Sequence, residues 1–146
     1  MTVVAGVDES PLSRTVVARA LEEARWRDTD LHVVYVDYLP PVYTNVAVEW
    51  GEVAKAQRAT VWGGLEDVLA ESDVTVERVN LEGYPPDLLV DYADEVKATL
   101  LVVGTRGRGE FASLILGSTS HRAIHLARSD VLVVKAPADQ DSPADQ

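Results

Sequence analysis

Five short apolar runs, at residues 2–7, 31–36, 74–81, 99–103 and 131–134, are rich in β-branched side chains and too short for helices, so each reads as a strand. Between them, residues 11–27, about 49–70, 85–96 and 118–127 carry helical patterns. Strands and helices alternate along the chain. A half-exposed antiparallel strand would alternate apolar with polar positions, whereas most of these strands are near-continuously apolar. That suits a parallel sheet covered on both faces. The pattern predicts one α/β domain over residues 1–136.

Local signals refine the boundaries. Ser10-Pro11 offers an N-cap followed by proline at the first helical position, where no amide donor is needed. Tyr84-Pro85-Pro86 opens the third helix in the same way. In that helix Leu88, Leu89, Tyr92, Ala93 and Val96 share one face, which reads as core packed on the sheet. Residues 37–48 hold Pro40-Pro41, Tyr43 and Asn45 without periodicity and predict a loop, either one that folds over a ligand or a plain connection. Residues 137–146 are polar and proline-bearing and predict a disordered tail. There is no internal repeat.

Composition narrows the function. A chain of 146 residues is too short to split into two well-cored domains. Its net charge of −11 disfavours nucleic acid and anionic membranes as partners, since both attract basic surfaces. No apolar stretch is long enough to cross a bilayer. Residues 2–7 read as a strand with no basic region before it, so no signal peptide is expected. The absence of cysteine excludes disulfides and thiolate metal sites and is compatible with a reducing cytoplasm. Acidic residues number 24 against three lysines (Lys55, Lys97, Lys135), a balance found in proteins of high-salt cytoplasm and also in ordinary acidic proteins.

The chemistry concentrates in Gly104-Thr105-Arg106-Gly107, nine further residues, then Gly117-Ser118-Thr119-Ser120. Gly104 falls where the fourth strand ends, where a missing Cβ lets the backbone turn sharply and lets a phosphate approach. The second cluster opens a helix, whose unpaired amides and dipole favour an anion. The dipole alone contributes only about 0.3–1 kcal/mol at an exposed site, so several donors must act together.

This constellation resembles the universal stress protein family, whose ATP-binding members carry Gly, two residues, Gly, nine residues, Gly and then Ser or Thr. The resemblance extends to Val7-Asp8-Glu9-Ser10 after the first strand, to Leu31-His32-Val33-Val34-Tyr35-Val36, to Leu101-Val102-Val103-Gly104 and to Val131-Leu132-Val133-Val134. It implies an open five-stranded parallel sheet of order 3-2-1-4-5 with helices on both faces, a Rossmann-like arrangement. The ligand then sits beyond the carboxyl ends of strands 1 and 4, at the topological switch point. By position, Gly6, Val7, Asp8 and Val36 would line the adenine, Gly104 and Gly107 would admit the ribose and α-phosphate, and Gly117, Ser118, Thr119 and Ser120 would hold the outer phosphates. Val103 and Arg106 complete the expected nucleotide-binding set. The family commonly dimerises through the last strand, which implies a homodimer joined at Val131 to Val134.

Each assignment has a structural rival. Asp8 could cap the first helix, Gly107 and Gly109 could serve only as a loop, and Arg106 and Arg108 either counter phosphate charge or are merely solvated. Asp130 stands where the family more often has proline, a departure that bears on strand geometry and spares the nucleotide residues. His121 and His125 have the spacing for a shared metal but read as surface or structural. His32, inside an apolar strand, and Trp26, Trp50 and Trp62 read as packing. No P-loop is present, and the paired glycines of ATP pyrophosphatases are missing after the first strand. The reading is a cytoplasmic, ATP-binding regulator of the stress response, with AMP or ADP as lesser ligands. Its alternatives are a slow Mg²⁺-dependent ATPase, for which no catalytic base can be nominated, and a nucleotide-free adaptor.

Overall fold

A computed structural model describes residues 1–38, 47–105 and 116–136, with residues 47–50 described through their backbone alone. The central strand β1 (Thr2–Val7) is followed by α1 (Leu12–Trp26), β2 (Asp30–Asp37), α2 (Ala47–Ala70), β3 (Val76–Glu82), α3 (Pro85–Glu95), β4 (Leu100–Gly104), α4 (Ser118–Leu126) and β5 (Asp130–Val134). These strands form one parallel sheet of order β3-β2-β1-β4-β5. Gly6 and Val7 of β1 lie opposite Val34 and Tyr35 of β2, while Val3 to Ala5 lie opposite Leu100 to Val102 of β4. Successive strands are added outward from β1 to one side as β2 and β3 and then to the other as β4 and β5, so the order reverses between β1 and β4 and their carboxyl ends open a crevice.

Because successive strand residues point to opposite faces, the apolar strands feed two cores. On one face Val3, Ala5, Val7, Leu31, Val33 and Tyr35 pack under α1 and α2, which contribute Val16, Val17, Ala20, Val61 and Leu65. On the other, Val4, Val34, Val36, Leu101 and Val103 pack under α3 and α4 through Leu89, Val90, Ala93 and Ala123. The edge strand β3 departs from this scheme and alternates, with Glu77, Arg78, Asn80 and Glu82 turned out or half out.

Two helix ends reuse one device. Asp28 and Lys97 adopt left-handed φ values of 52° and 56°. At the first, the Asp28 and Thr29 amides bond Arg25 and Ala24 carbonyls; at the second, Lys97 and Ala98 bond Asp94 and Ala93. Both patterns are Schellman closures, and each delivers the chain to the next strand within a few residues.

Several expectations need correction. Ser10 does not cap α1 with its side chain; Pro11 occupies the N-cap position and the helix begins at Leu12. The turn is closed instead by Asp8, whose Oδ1 accepts the Ser10 amide at 2.8 Å, and by Ser13, whose amide bonds the Ser10 carbonyl. β3 starts two residues later than its apolar pattern predicts, because the Ser72 hydroxyl holds the Val74 amide in the preceding turn. Trp26 is not packed: it is 68% exposed and stacks beneath the Arg19 guanidinium. His32 is only partly buried, with Nδ1 2.8 Å from the Tyr92 hydroxyl and Nε2 3.2 Å from Glu77. The expected loop over residues 37–48 gives way to β2 at Asp37 and α2 at Ala47. The side chain of Trp50, residues 39–46 and the tail 137–146 lie outside the described residues.

Candidate functional site

The carboxyl ends of β1, β2 and β4 and the first turns of α1, α3 and α4 surround a cleft of about 200 Å³. Gly6, Val7, Asp8, Val36, Val103, Gly104, Gly117, Ser118, Thr119 and Ser120 all line it, although they come from opposite ends of the chain. Arg106 and Gly107, with Arg108 and Gly109, lie outside the described residues.

The cleft has two unlike ends. Toward β2 and α3 its walls are apolar and aromatic: Val34, Val36, Leu89, Pro86, Tyr38 and Tyr84. Sequence periodicity assigned Leu89 to the core, and it does pack there; it also reaches the cleft because Gly6 lacks a side chain. A Cβ on Gly6 would stand 2.4 Å from Leu89 Cδ2, so a larger residue there would force the Leu89 side chain to move. Tyr38, inside the segment read as a loop over a ligand or a plain connection, and Tyr84, read as opening the third helix, were not among the expected site residues, since a tyrosine after a strand and one before Pro-Pro carry no motif.

Toward β4 and α4 the cleft is rich in backbone donors, though poorer than the motif implied. The Gly117 amide donates to the Thr105 carbonyl and is consumed there. The Ser120 hydroxyl is fully buried and donates to the carbonyls of Thr105 and Gly117, at 3.3 and 3.1 Å. These bonds pin the start of α4 to the end of β4. The first intrahelical bond runs from the His121 amide to the Gly117 carbonyl, so the amides of Ser118, Thr119 and Ser120 have no carbonyl within the helix. They remain as donors, joined by the hydroxyls of exposed Ser118 and half-buried Thr119.

Asp8 combines both readings given to it. It lines the cleft, and its Oδ1 accepts from the Ser10 amide and lies 3.2 Å from Ser13 Oγ, so it also shapes the entry to α1. It is the one charged residue among the described residues lining the cleft. An open groove adjoins the cleft, sharing Tyr84, Pro86, Gly117 and Ser118 with it, and there Arg122 Nε sits 2.8 Å from Asp87 Oδ1. His121 and His125 face each other on exposed α4 with ring centroids 4.6 Å apart. Among the described residues no group of three or more metal-ligating side chains is assembled.

The model of the universal stress protein family matches residues 1–135. The chain belongs to the universal stress protein family. A universal stress protein of Methanocaldococcus jannaschii is 30% identical over 139 residues, covering 92% of this chain and 82% of the relative. One of Mycobacterium tuberculosis is 32% identical over 139 residues, covering 91% of this chain but 45% of the relative, so the chain spans less than half the length of that mycobacterial protein.

Among solved universal stress proteins, that of Lactobacillus plantarum superposes with a TM-score of 0.78 at 20% identity, covering 92% of this chain and 97% of the other, and shares the fold. A universal stress protein in complex with cAMP matches at 29% identity and a TM-score of 0.69, covering 92% and 96%. The protein of Archaeoglobus fulgidus in complex with dAMP matches at 28% identity and 0.65, covering 92% and 98%.

Proposed function

We propose that the chain binds an adenine nucleotide in the cleft between β1 and β4 and acts as a nucleotide-dependent regulator in the cytoplasmic stress response. The observation that carries this reading is the polarity of the cleft, apolar and aromatic at the β2–α3 end and lined at the α4 end by amides that have no partner among the described residues. A nucleotide has the same polarity. Universal stress proteins at 29% and 28% identity are complexed with cAMP and dAMP, which supports adenine as the base.

Size and charge shape the ligand further. A cavity of about 150 Å³ admits a benzene ring. A cleft of about 200 Å³ therefore takes a purine, leaving the phosphates to run out along Ser118–Ser120. Asp8 is the one charged residue among the described residues lining the cleft, so within these the phosphates meet the amides and hydroxyls at the start of α4. The nucleotide we propose is ATP, with AMP or ADP as lesser ligands and Mg²⁺ as a companion of the triphosphate.

Calorimetric titration with AMP, with ATP and with ATP plus Mg²⁺, alongside phosphate release, tests the reading. Saturable binding with turnover below about one per second supports a regulator. Faster turnover favours an ATPase, and no binding by any nucleotide refutes the site.

The last strand supports a second copy as partner. β5 lies at the sheet edge with Val131, Leu132 and Val133 only half-buried, an apolar edge that pairing with a copy of itself would cover.

A further inference from the structure

At the apolar end of the cleft two aromatic side chains meet. The rings of Tyr38 and Tyr84 lie 5.8 Å apart between centroids, tilted by 60°, and both line the cleft. They come from different elements, one just past β2 and one at the N-cap of α3. The β2–β3 ladder, in register as far as Asp37 opposite Glu82, brings them together and is extended by one further bond: the Gly83 amide donates to the Asp37 carbonyl at 2.9 Å, tying the turn that carries Tyr84 to the residue before Tyr38.

The sequence of that turn suits its backbone. Gly83 sits at φ +145°, which side-chain-bearing residues rarely adopt, and a Cβ there would stand 2.7 Å from Leu88 Cδ1. Pro85 restricts Tyr84 to extended backbone, as observed at φ −85° and ψ 114°. Tyr84 is nevertheless 50% exposed, so its ring has an uncovered face. A flat ring seated between two parallel rings needs them roughly 7 Å apart, twice a van der Waals contact of about 3.5 Å. At 5.8 Å and a 60° tilt the tyrosines cannot sandwich a base. They can cover one, with the base stacked beneath Tyr84.

We propose that Tyr38 and Tyr84 form an aromatic cover that selects ligands bearing a planar base. This inference rests on the nucleotide reading of the cleft and specifies how its base end discriminates. Val34, Val36 and Leu89 supply apolar contact to any group of suitable size, whereas an aromatic face adds attraction for a conjugated ring. A ligand with the sugar and phosphate but no base would meet the amides of α4 and gain nothing from the cover. Tyr84 also lines the adjoining groove, so this residue borders both spaces.

The test compares AMP with ribose 5-phosphate by calorimetry in the full chain and in the variants Tyr84→Ala, Tyr84→Phe and Tyr38→Ala, each checked by circular dichroism and melting. Stacking against an aromatic side chain corresponds to about a fivefold to hundredfold change in affinity per base. Tyr84→Ala should weaken AMP by that factor, Tyr84→Phe should stay within about threefold of the parent, and neither should change ribose 5-phosphate affinity. Tyr38→Ala, which leaves Tyr84 without its neighbour, should fall between them. If the parent binds AMP and Tyr84→Ala binds it within about twofold, or if AMP and ribose 5-phosphate weaken together, the cover is refuted while the nucleotide site stands. If the parent binds no adenine nucleotide, both fall.

Discussion

Replacing Gly6 by alanine probes the contact on which the cleft's floor depends. The new Cβ would lie 2.4 Å from Leu89 Cδ2, 3.3 Å from Cδ1 and 3.4 Å from Cγ. Carbon atoms pack best about 3.5–4.0 Å apart, so the closest overlap is roughly 1 Å. Gly6 belongs to the central strand and cannot retreat, and Leu89 is 3% exposed, so either its side chain changes rotamer or α3 lifts. Overpacking of this kind costs about 1–3 kcal/mol. In a domain of this size each kcal/mol lowers the melting temperature by about 2–4 °C, so a fall of roughly 2–12 °C is expected. Leu89 also lines the cleft, so on the proposed nucleotide reading its displaced methyls should weaken AMP. Urea unfolding of the parent, Gly6→Ala, Leu89→Ala and the double variant closes the cycle. Leu89→Ala alone should cost about 2–5 kcal/mol. In that background Gly6→Ala should cost almost nothing, giving a coupling of about 1–3 kcal/mol. An equal cost in both backgrounds would refute the reasoning, because the two side chains would then not compete for the same space.

Other perturbations follow from individual bonds. Ser120→Ala should cost about 1 kcal/mol in urea unfolding and leave AMP affinity within about threefold, since the Thr105 carbonyl keeps the Gly117 amide and the Gly117 carbonyl keeps the His121 amide. A tenfold or greater loss of AMP binding would instead make that hydroxyl a ligand contact. On the opposite face, the hydrogen bond from Arg14 holds the Asp67 carboxyl down at about 2 and joins α1 to α2. The folded chain binds fewer protons than the unfolded one between about 4 and 2, so this contribution is present above pH about 4 and is lost as pH falls through about 2. Asp67→Asn should therefore flatten the pH dependence of the urea midpoint in that window; an unchanged slope would contradict the assignment. Sedimentation at micromolar concentration should give twice the 15.9 kDa chain mass, falling to one chain when Val133, whose amide alternates with those bonded to β4 and so faces the open edge, is replaced by proline.

Much of the architecture is legible in the sequence because its causes are local. β-branched runs such as Val131-Leu132-Val133-Val134 cannot be helices of useful length, and proline and glycine punctuate the elements between them. The glycine spacing around Gly104 and Gly117 resembles one family closely enough to imply the strand order, and strand order alone locates the crevice. Periodicity likewise identifies the buried face of α3. It says nothing about how close Leu89 comes to Gly6, which depends on the distance between two elements far apart in the chain. Nor could spacing reveal that Ser120 spends its hydroxyl on Thr105 and Gly117, that Asp37 draws Tyr84 beside Tyr38, or that Trp26 stays in solvent. Which face an element buries is set by its own residues; which atoms meet across that face is set by the packing of the whole sheet with its helices, and only the tertiary structure decides it.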